Sequence, residues 1–222
     1  MSDEVLENYI IQHIKASTEG VINFSWHGGE PLLAGIAFYR KVLQLQQKHK
    51  PPESVILNGI QTNGTLLDET LCGFLAAEGF IVGISIDGPG NLHNINRRTK
   101  EDNNTFLNVI RGYELLQKYG INSEILGVVN SENVKYPLEI YDFFKELGAK
   151  YITFIPLVEA QKSFPSGVSK KSVPAIQFGH FLSTIFDEWV EKDIGEIKIQ
   201  IFEEAARTAF NQKHTLFIFK EN

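Results

Sequence analysis

Five short runs of β-branched and aromatic residues recur along the chain, near 21–27, 54–61, 80–86, 121–129 and 151–158. The intervening stretches at 35–49, 66–77, 105–119 and 131–147 carry apolar residues at helical spacing, as Phe106, Val109, Ile110, Tyr113 and Leu116 do. Strand and helix in strict alternation specify βα units, with parallel strands and right-handed crossovers. Five such strands do not close a ring. The expected fold is therefore α/β, a partial (open) parallel β/α barrel spanning residues 1–160.

The ends of the elements are also marked. Ser2 opens a helix that runs to Ile14, Thr65 is read as the cap of helix 66–77, and Ser131 as the cap of helix 131–147. Residues 90–104 read as a long polar loop, a length that favours a functional role. Near residue 160 the rhythm stops. A polar loop at 161–172 leads to a helix at 174–192 with Phe178, Phe181, Leu182, Ile185, Phe186 and Trp189 on one stripe. A short strand near 196–201, a helix near 202–210 and a strand over 214–220 complete a C-terminal segment, 161–222.

Composition narrows the function. Of 222 residues, 43% are hydrophobic, enough for a sizeable core. The net charge is 21 − 27 = −6 with no long basic run, which argues against a nucleic-acid surface. No apolar run has the length of a membrane span, and no signal peptide is seen, so neither membrane nor export is expected and the location read by default is cytoplasmic. The single cysteine, Cys72, lies mid-helix and reads as a buried, inert thiol.

The polar residues collect where the strands end, which is where open α/β sheets bind ligands. The first strand stops at Trp26-His27-Gly28-Gly29-Glu30-Pro31. Paired glycines leave backbone groups uncovered, and Glu30 adds a carboxylate beside them, a combination that suits an ammonium. Ser85 and Asp87 alternate on the third strand and share a face, so both need partners. Arg97, in the loop beyond, offers a planar match for a carboxylate. Gln61, Thr62 and Asn63 end the second strand and Asn130 the fourth. Their side chains either read a ligand or bond their own turns, and the sequence leaves both open. His27 has no His or Cys at ligand spacing, so no metal site is expected there.

The GGEP stretch resembles the motif by which radical S-adenosylmethionine (SAM) enzymes receive the amino end of SAM. Ile60-Gln61-Thr62-Asn63-Gly64, Ile84-Ser85-Ile86-Asp87-Gly88-Pro89 and His93-Asn94-Ile95-Asn96-Arg97 follow in an order and spacing similar to one branch, the anaerobic sulfatase-maturating enzymes. The resemblance covers nearly the whole chain. It implies that Gly28, Gly29, Glu30, Ser85, Asp87 and Arg97 contact SAM, that Val158 packs on its adenine, and that His27, Gln61, Thr62, Asn63 and Asn130 line the pocket. It further implies a sulfatase polypeptide as substrate, an electron donor such as ferredoxin or flavodoxin, and a 4Fe–4S cluster whose reduction cleaves SAM. A cysteine or serine of the sulfatase is thereby oxidised to Cα-formylglycine. The family holds its cluster through CxxxCxxC, and this chain has Cys72 alone. The resemblance thus implies an internal fragment, truncated at its first βα unit and before an auxiliary-cluster domain, inactive by itself and with the catalytic base outside it. A radical SAM modifier of another peptide, or a cluster-less binding relic, are the alternatives.

Overall fold

The computed structural model describes residues 1–18, 20–161 and 167–214. They form two compact units. The first comprises Met1–Ile84 with Ile110–Ser123, and the second comprises Ser85–Val109 with the chain from Glu124 onward.

In the first unit, α1 (Asp3–Ala16) precedes β1 (Val21–Trp26), a short 3-10 turn (Pro31–Ala34), α2 (Gly35–His49), β2 (Val55–Thr62), α3 (Glu69–Ala77) and β3 (Ile81–Ser85). β1 and β2 pair in parallel from Val21↔Val55 to Trp26↔Ile60, and β2 and β3 from Gly59↔Ile81 to Thr62↔Ile84. β1 alternates exposed and buried residues. Its buried Ile22 and Phe24 meet Leu6, Ile10 and Ile14 of α1 and Val42 and Leu45 of α2. Each such side chain removed from water contributes about 1.5–3 kcal/mol. Ser2 caps α1 as expected, accepting from Val5 N at 3.3 Å. α3 departs from expectation. Its cap is Asp68, which accepts from Leu71 N at 2.8 Å, whereas the N–H and hydroxyl of Thr65 both bond Asn63 Oδ1 at 2.9 and 2.7 Å. Asn63 draws Thr65 into its own turn, so the helix starts one turn later.

The second unit holds α4 (Gly90–Asn96), the start of α5 (Phe106–Lys118), β4 (Ser123–Val129), a 3-10 turn (Asn133–Lys135), α6 (Pro137–Glu146), β5 (Tyr151–Pro156), α7 (Ala175–Lys192), β6 (Lys198–Ile199) and α8 (Gln200–Ala209). β4 and β5 pair in parallel from Ile125↔Ile152 to Val129↔Pro156, and β6 joins β5 at Tyr151↔Lys198. Rings fill the core: Phe154 meets Phe181 edge-on at 5.2 Å, and Trp189 Nε1 donates to Ile197 O at 2.8 Å. Two expectations change here. The stretch read as a loop at 90–104 contains α4, which Pro89 opens and which buries Leu92 and His93. The helix read from Ser131 begins instead at Pro137, because the side chains of Asn130 and Asn133 fold the intervening residues into a turn. The strand read over 214–220 lies outside the described residues apart from His214, which is not in a strand. Among the described residues no helix is long and apolar enough to cross a membrane.

Candidate functional site

The first unit builds a strand-tip clamp around Glu30. Gly28 and Gly29 take φ of 93° and 56°, in the left-handed region that glycine adopts without strain. A Cβ on either would meet nothing within 4 Å, so the glycines serve the backbone turn and leave open space above it. The turn delivers the Glu30 carboxylate to the tip of β2. Oε1 accepts from Thr62 Oγ1 at 2.7 Å and Leu32 N at 3.1 Å, and Oε2 from Asn63 N at 2.8 Å. Thr62, 2% exposed, in turn accepts from Gly64 N at 3.0 Å. Two strand tips are thereby locked through one negative charge, and a carboxylate has room for about four acceptor bonds. The buried Tyr39 donates its hydroxyl to Pro31 O at 2.9 Å. Burial, and then the Glu30 charge, push its phenol up to about 12, so it remains a donor at neutral pH. His27 is exposed, and its Nδ1 accepts from Gly28 N at 2.6 Å, which places the proton of the neutral ring on Nε2. Gln61 extends over Gly83 of β3: a methyl on Gly83 would collide with Gln61 Oε1.

The second unit builds its own site around Asp87, 3% exposed. Arg97 grips it as a fork, Nε to Oδ2 at 2.8 Å and Nη2 to Oδ1 at 3.0 Å, and Oδ1 also accepts from Val128 N at 2.9 Å. The Asp87 carboxylate is thus occupied by its own neighbours. Among the described residues no group bonds Arg97 Nη1. Asp87, Asn96, Arg97, Val128, Asn130, Leu157, Glu159 and Lys171 border a cleft of ≈ 250 Å³. Two cations, Arg97 and Lys171, and two carboxylates, Asp87 and Glu159, share its border; since Asp87 is already taken by Arg97, the Nη1 edge of Arg97 is the part that suits an anionic group, and Leu157 gives the cleft an apolar side. Ser85 is 8% exposed, with its polar needs met, while Val158 is 68% exposed and its neighbour Leu157 borders the cleft in its place.

Of the two readings the sequence left open, Asn63 and Asn130 show the bonding of their own turns. Asn63 Oδ1 serves Thr65, and Asn130 Oδ1 accepts from Glu132 N at 2.9 Å and Asn133 N at 3.1 Å, so both shape their own turns. Sequence reasoning missed three residues. Asn133, 1% exposed, donates Nδ2 to Val128 O at 2.9 Å and Asp87 O at 3.3 Å, tying the end of β4 to the backbone at Asp87. His93 and Thr105 sit behind the Asp87–Arg97 pair. The Asn-x-x-Asn spacing was a usable signal for the first. Reading 90–104 as loop concealed His93, and Thr105 was read only as the first residue of helix 105–119.

A larger cleft, ≈ 450 Å³, opens beside Lys50, Val55 and Ile56, at the start of β2 and away from Thr62. Its buried amides, Gln46 and Asn58, bond each other reciprocally at 2.9 Å, with Trp26 Nε1 on Asn58 Oδ1 at 3.0 Å. The clamp, at the strand C-termini of the same unit, lies at the opposite end of β2 and presents a carboxylate beside open glycines. A metal cluster does not fit this set of residues. Cys72 is fully buried, with its thiol pushed up to about 11 by burial and then by Asp68 and Glu69. Among the described residues no three His, Cys, Asp or Glu side chains are grouped to hold an ion.

Parallel strands alternating with helices define an α/β domain, and residues 1–144 match the model of the radical SAM superfamily. The chain belongs to that superfamily. Within it, the chain is 41% identical over 216 residues to a serine-type anaerobic sulfatase-maturating enzyme of Bacteroides thetaiotaomicron, covering 91% of this chain and 52% of that protein. It is 37% identical over 205 residues to the cysteine-type enzyme of Clostridium perfringens, covering 90% and 54%. A solved structure of native anSMEcpe with bound AdoMet and Cp18Cys peptide superposes with a TM-score of 0.87 at 35% identity, covering 97% of this chain and 60% of that one. The fold is accordingly the open, partial parallel β/α barrel of the radical SAM type. The chain spans about half the length of the curated relatives it matches.

Proposed function

We infer that the chain is the SAM-binding part of a radical SAM oxidoreductase that converts a cysteine or serine of a sulfatase polypeptide to Cα-formylglycine. The observation that carries the reading is the Glu30 clamp: a carboxylate fixed by three donors beside two open, left-handed glycines. Identity to both serine-type and cysteine-type maturating enzymes supports the reaction. The solved neighbour with bound AdoMet and Cp18Cys peptide supports a polypeptide substrate.

In this reading Glu30 and the backbone carbonyls at Gly28 and Gly29 receive an ammonium. Their fixed negative charge needs no rearrangement when the ligand arrives. Arg97, held in its fork by Asp87, presents Nη1 to a carboxylate. Ser85 meets the ribose, Leu157 and Val158 supply apolar contact to the adenine, and Gln61 and His27 border the peptide. Thr62, Asn63 and Asn130 hold the turns that carry these groups. When bound and reduced by one electron, SAM supplies the means of removing a hydrogen atom from the substrate. The protein orients the ligand and excludes competing reactions. The 4Fe–4S cluster belongs to an intact protein that contributes the thiolates, and an electron carrier such as ferredoxin or flavodoxin serves it in the cytoplasm.

The test is to load the intact protein with its cluster anaerobically and supply SAM, a reductant and a sulfatase peptide with cysteine or serine at the target position. Mass spectrometry is expected to show the aldehyde on the peptide together with 5′-deoxyadenosine. 5′-Deoxyadenosine without change in either peptide would reassign the substrate, and its absence under all conditions would overturn the reading.

A further inference from the structure

Behind the Asp87–Arg97 pair lies a closed set of bonds whose directions are fixed at both ends. The Asp87 backbone N–H can only donate, and it meets His93 Nδ1 at 3.3 Å. The neutral ring therefore carries its proton on Nε2, which lies 3.2 Å from Thr105 Oγ1 and donates to it. The Thr105 hydroxyl has one proton, and it goes to the Arg97 carbonyl at 2.8 Å. The guanidinium returns to the Asp87 carboxylate and completes the loop. His93 is 0% exposed and Thr105 7%. Asn94 Oδ1 braces the same place, accepting from Thr105 N and Phe106 N at 3.2 Å each.

We propose that His93 and Thr105 are positioning residues that hold Arg97 for an anionic group of the ligand: one relay anchors the backbone of Asp87 at one end and of Arg97 at the other, fixing both partners of the fork. The proposal rests on the reading of Arg97 as the carboxylate ligand. Arg97 has a long side chain reaching over ten residues of sequence, and an unbraced backbone would let the fork wander. With both backbones pinned, Nη1 is presented in one place, and less ordering remains to be done on binding. Burial keeps the ring neutral, at a pKa of about 4, with Arg97 adding to the effect and Asp87 opposing it. Neutrality is required, because a protonated Nδ1 could not accept from Asp87 N.

The experiment measures calorimetric affinities of the cluster-loaded intact protein for SAM and for decarboxylated SAM, which lacks the anionic group. The ratio of the two affinities is the readout. Thr105→Val is expected to lower the ratio about tenfold, mainly through weaker SAM binding. Thr105→Ser, which keeps the hydroxyl, restores it. Equal weakening toward both ligands would mean a merely structural role and would overturn the proposal, as would an unchanged ratio in Thr105→Val. Arg97→Ala separates the two levels of the argument. If it collapses the ratio while Thr105→Val does not, the carboxylate reading stands and the positioning role falls. If Arg97→Ala leaves the ratio intact, the carboxylate reading falls and takes the proposal with it. Should Thr105→Val fail to fold, His93→Asn, whose Oδ1 can still accept from Asp87 N but which cannot reach Thr105, is measured in the same way and with the same expected loss.

Discussion

Acid should weaken this fold well above the carboxylate range, through one histidine. His93 is buried, and its pKa falls from an ordinary 6.5 to about 4. Above 6.5 neither folded nor unfolded chain is protonated there, and the full stability is present. As pH falls through 6.5, the unfolded chain takes a proton that the folded chain refuses, so stability is lost until the folded pKa is reached. The whole shift is worth about 3 kcal/mol, and about 2 kcal/mol of it is gone by about pH 5. The charged groups facing the ring are Asp87, which raises the pKa, and Arg97, which lowers it, but burial is the largest cause. Urea unfolding of the chain and of His93→Asn, followed through Trp26 and Trp189 fluorescence, reads the effect. Between about pH 7.5 and about pH 5 the unsubstituted chain should lose about 2 kcal/mol more than the variant. Parallel pH profiles for the two would refute the reasoning.

Thr62→Val removes the hydroxyl that joins Glu30 to Gly64 N, and should cost about 1–3 kcal/mol of stability in urea melts; no change would mean that water replaces it at no cost. Leu157→Ala should weaken SAM binding severalfold and more than Val158→Ala does, since Leu157 borders the cleft, and the reverse order would move the adenine contact to Val158. Cys72, buried and with its thiol pushed up to about 11, should react with iodoacetamide at about pH 8 only as fast as the chain opens. Alkylation at the rate of a free thiol would contradict its placement.

Much of this architecture was legible because it rests on local pattern. Apolar runs at 21–27, 54–61 and 80–86 lie within a residue or two of β1, β2 and β3, and the strand-to-helix rhythm announced the parallel pairing. The errors share a cause. Thr65 and Ser131 are good caps by type, but Asn63 claims the first, and the Asn130–Asn133 turn with Pro137 postpones the second helix. α4 was invisible because its seven residues carry only Leu92 and Ile95 as aliphatic side chains, and one of its buried positions is a histidine. At the site, the sequence named Glu30, Asp87 and Arg97 but not their relations. That Asp87 serves Arg97, and that Glu30 is held by Thr62 and Asn63, are facts of tertiary contact with no local signature.

In the proposed function the strand-tip clamp at Glu30, and not the larger cleft beside Lys50 and Val55, receives SAM. The most direct test of this is a titration of the isotopically labelled chain with SAM, followed by backbone amide shifts. Saturable shifts are expected at Gly28, Gly29 and Asn63. Shifts confined to Gln46, Lys50, Val55 and Asn58, or none at saturating SAM, would contradict it.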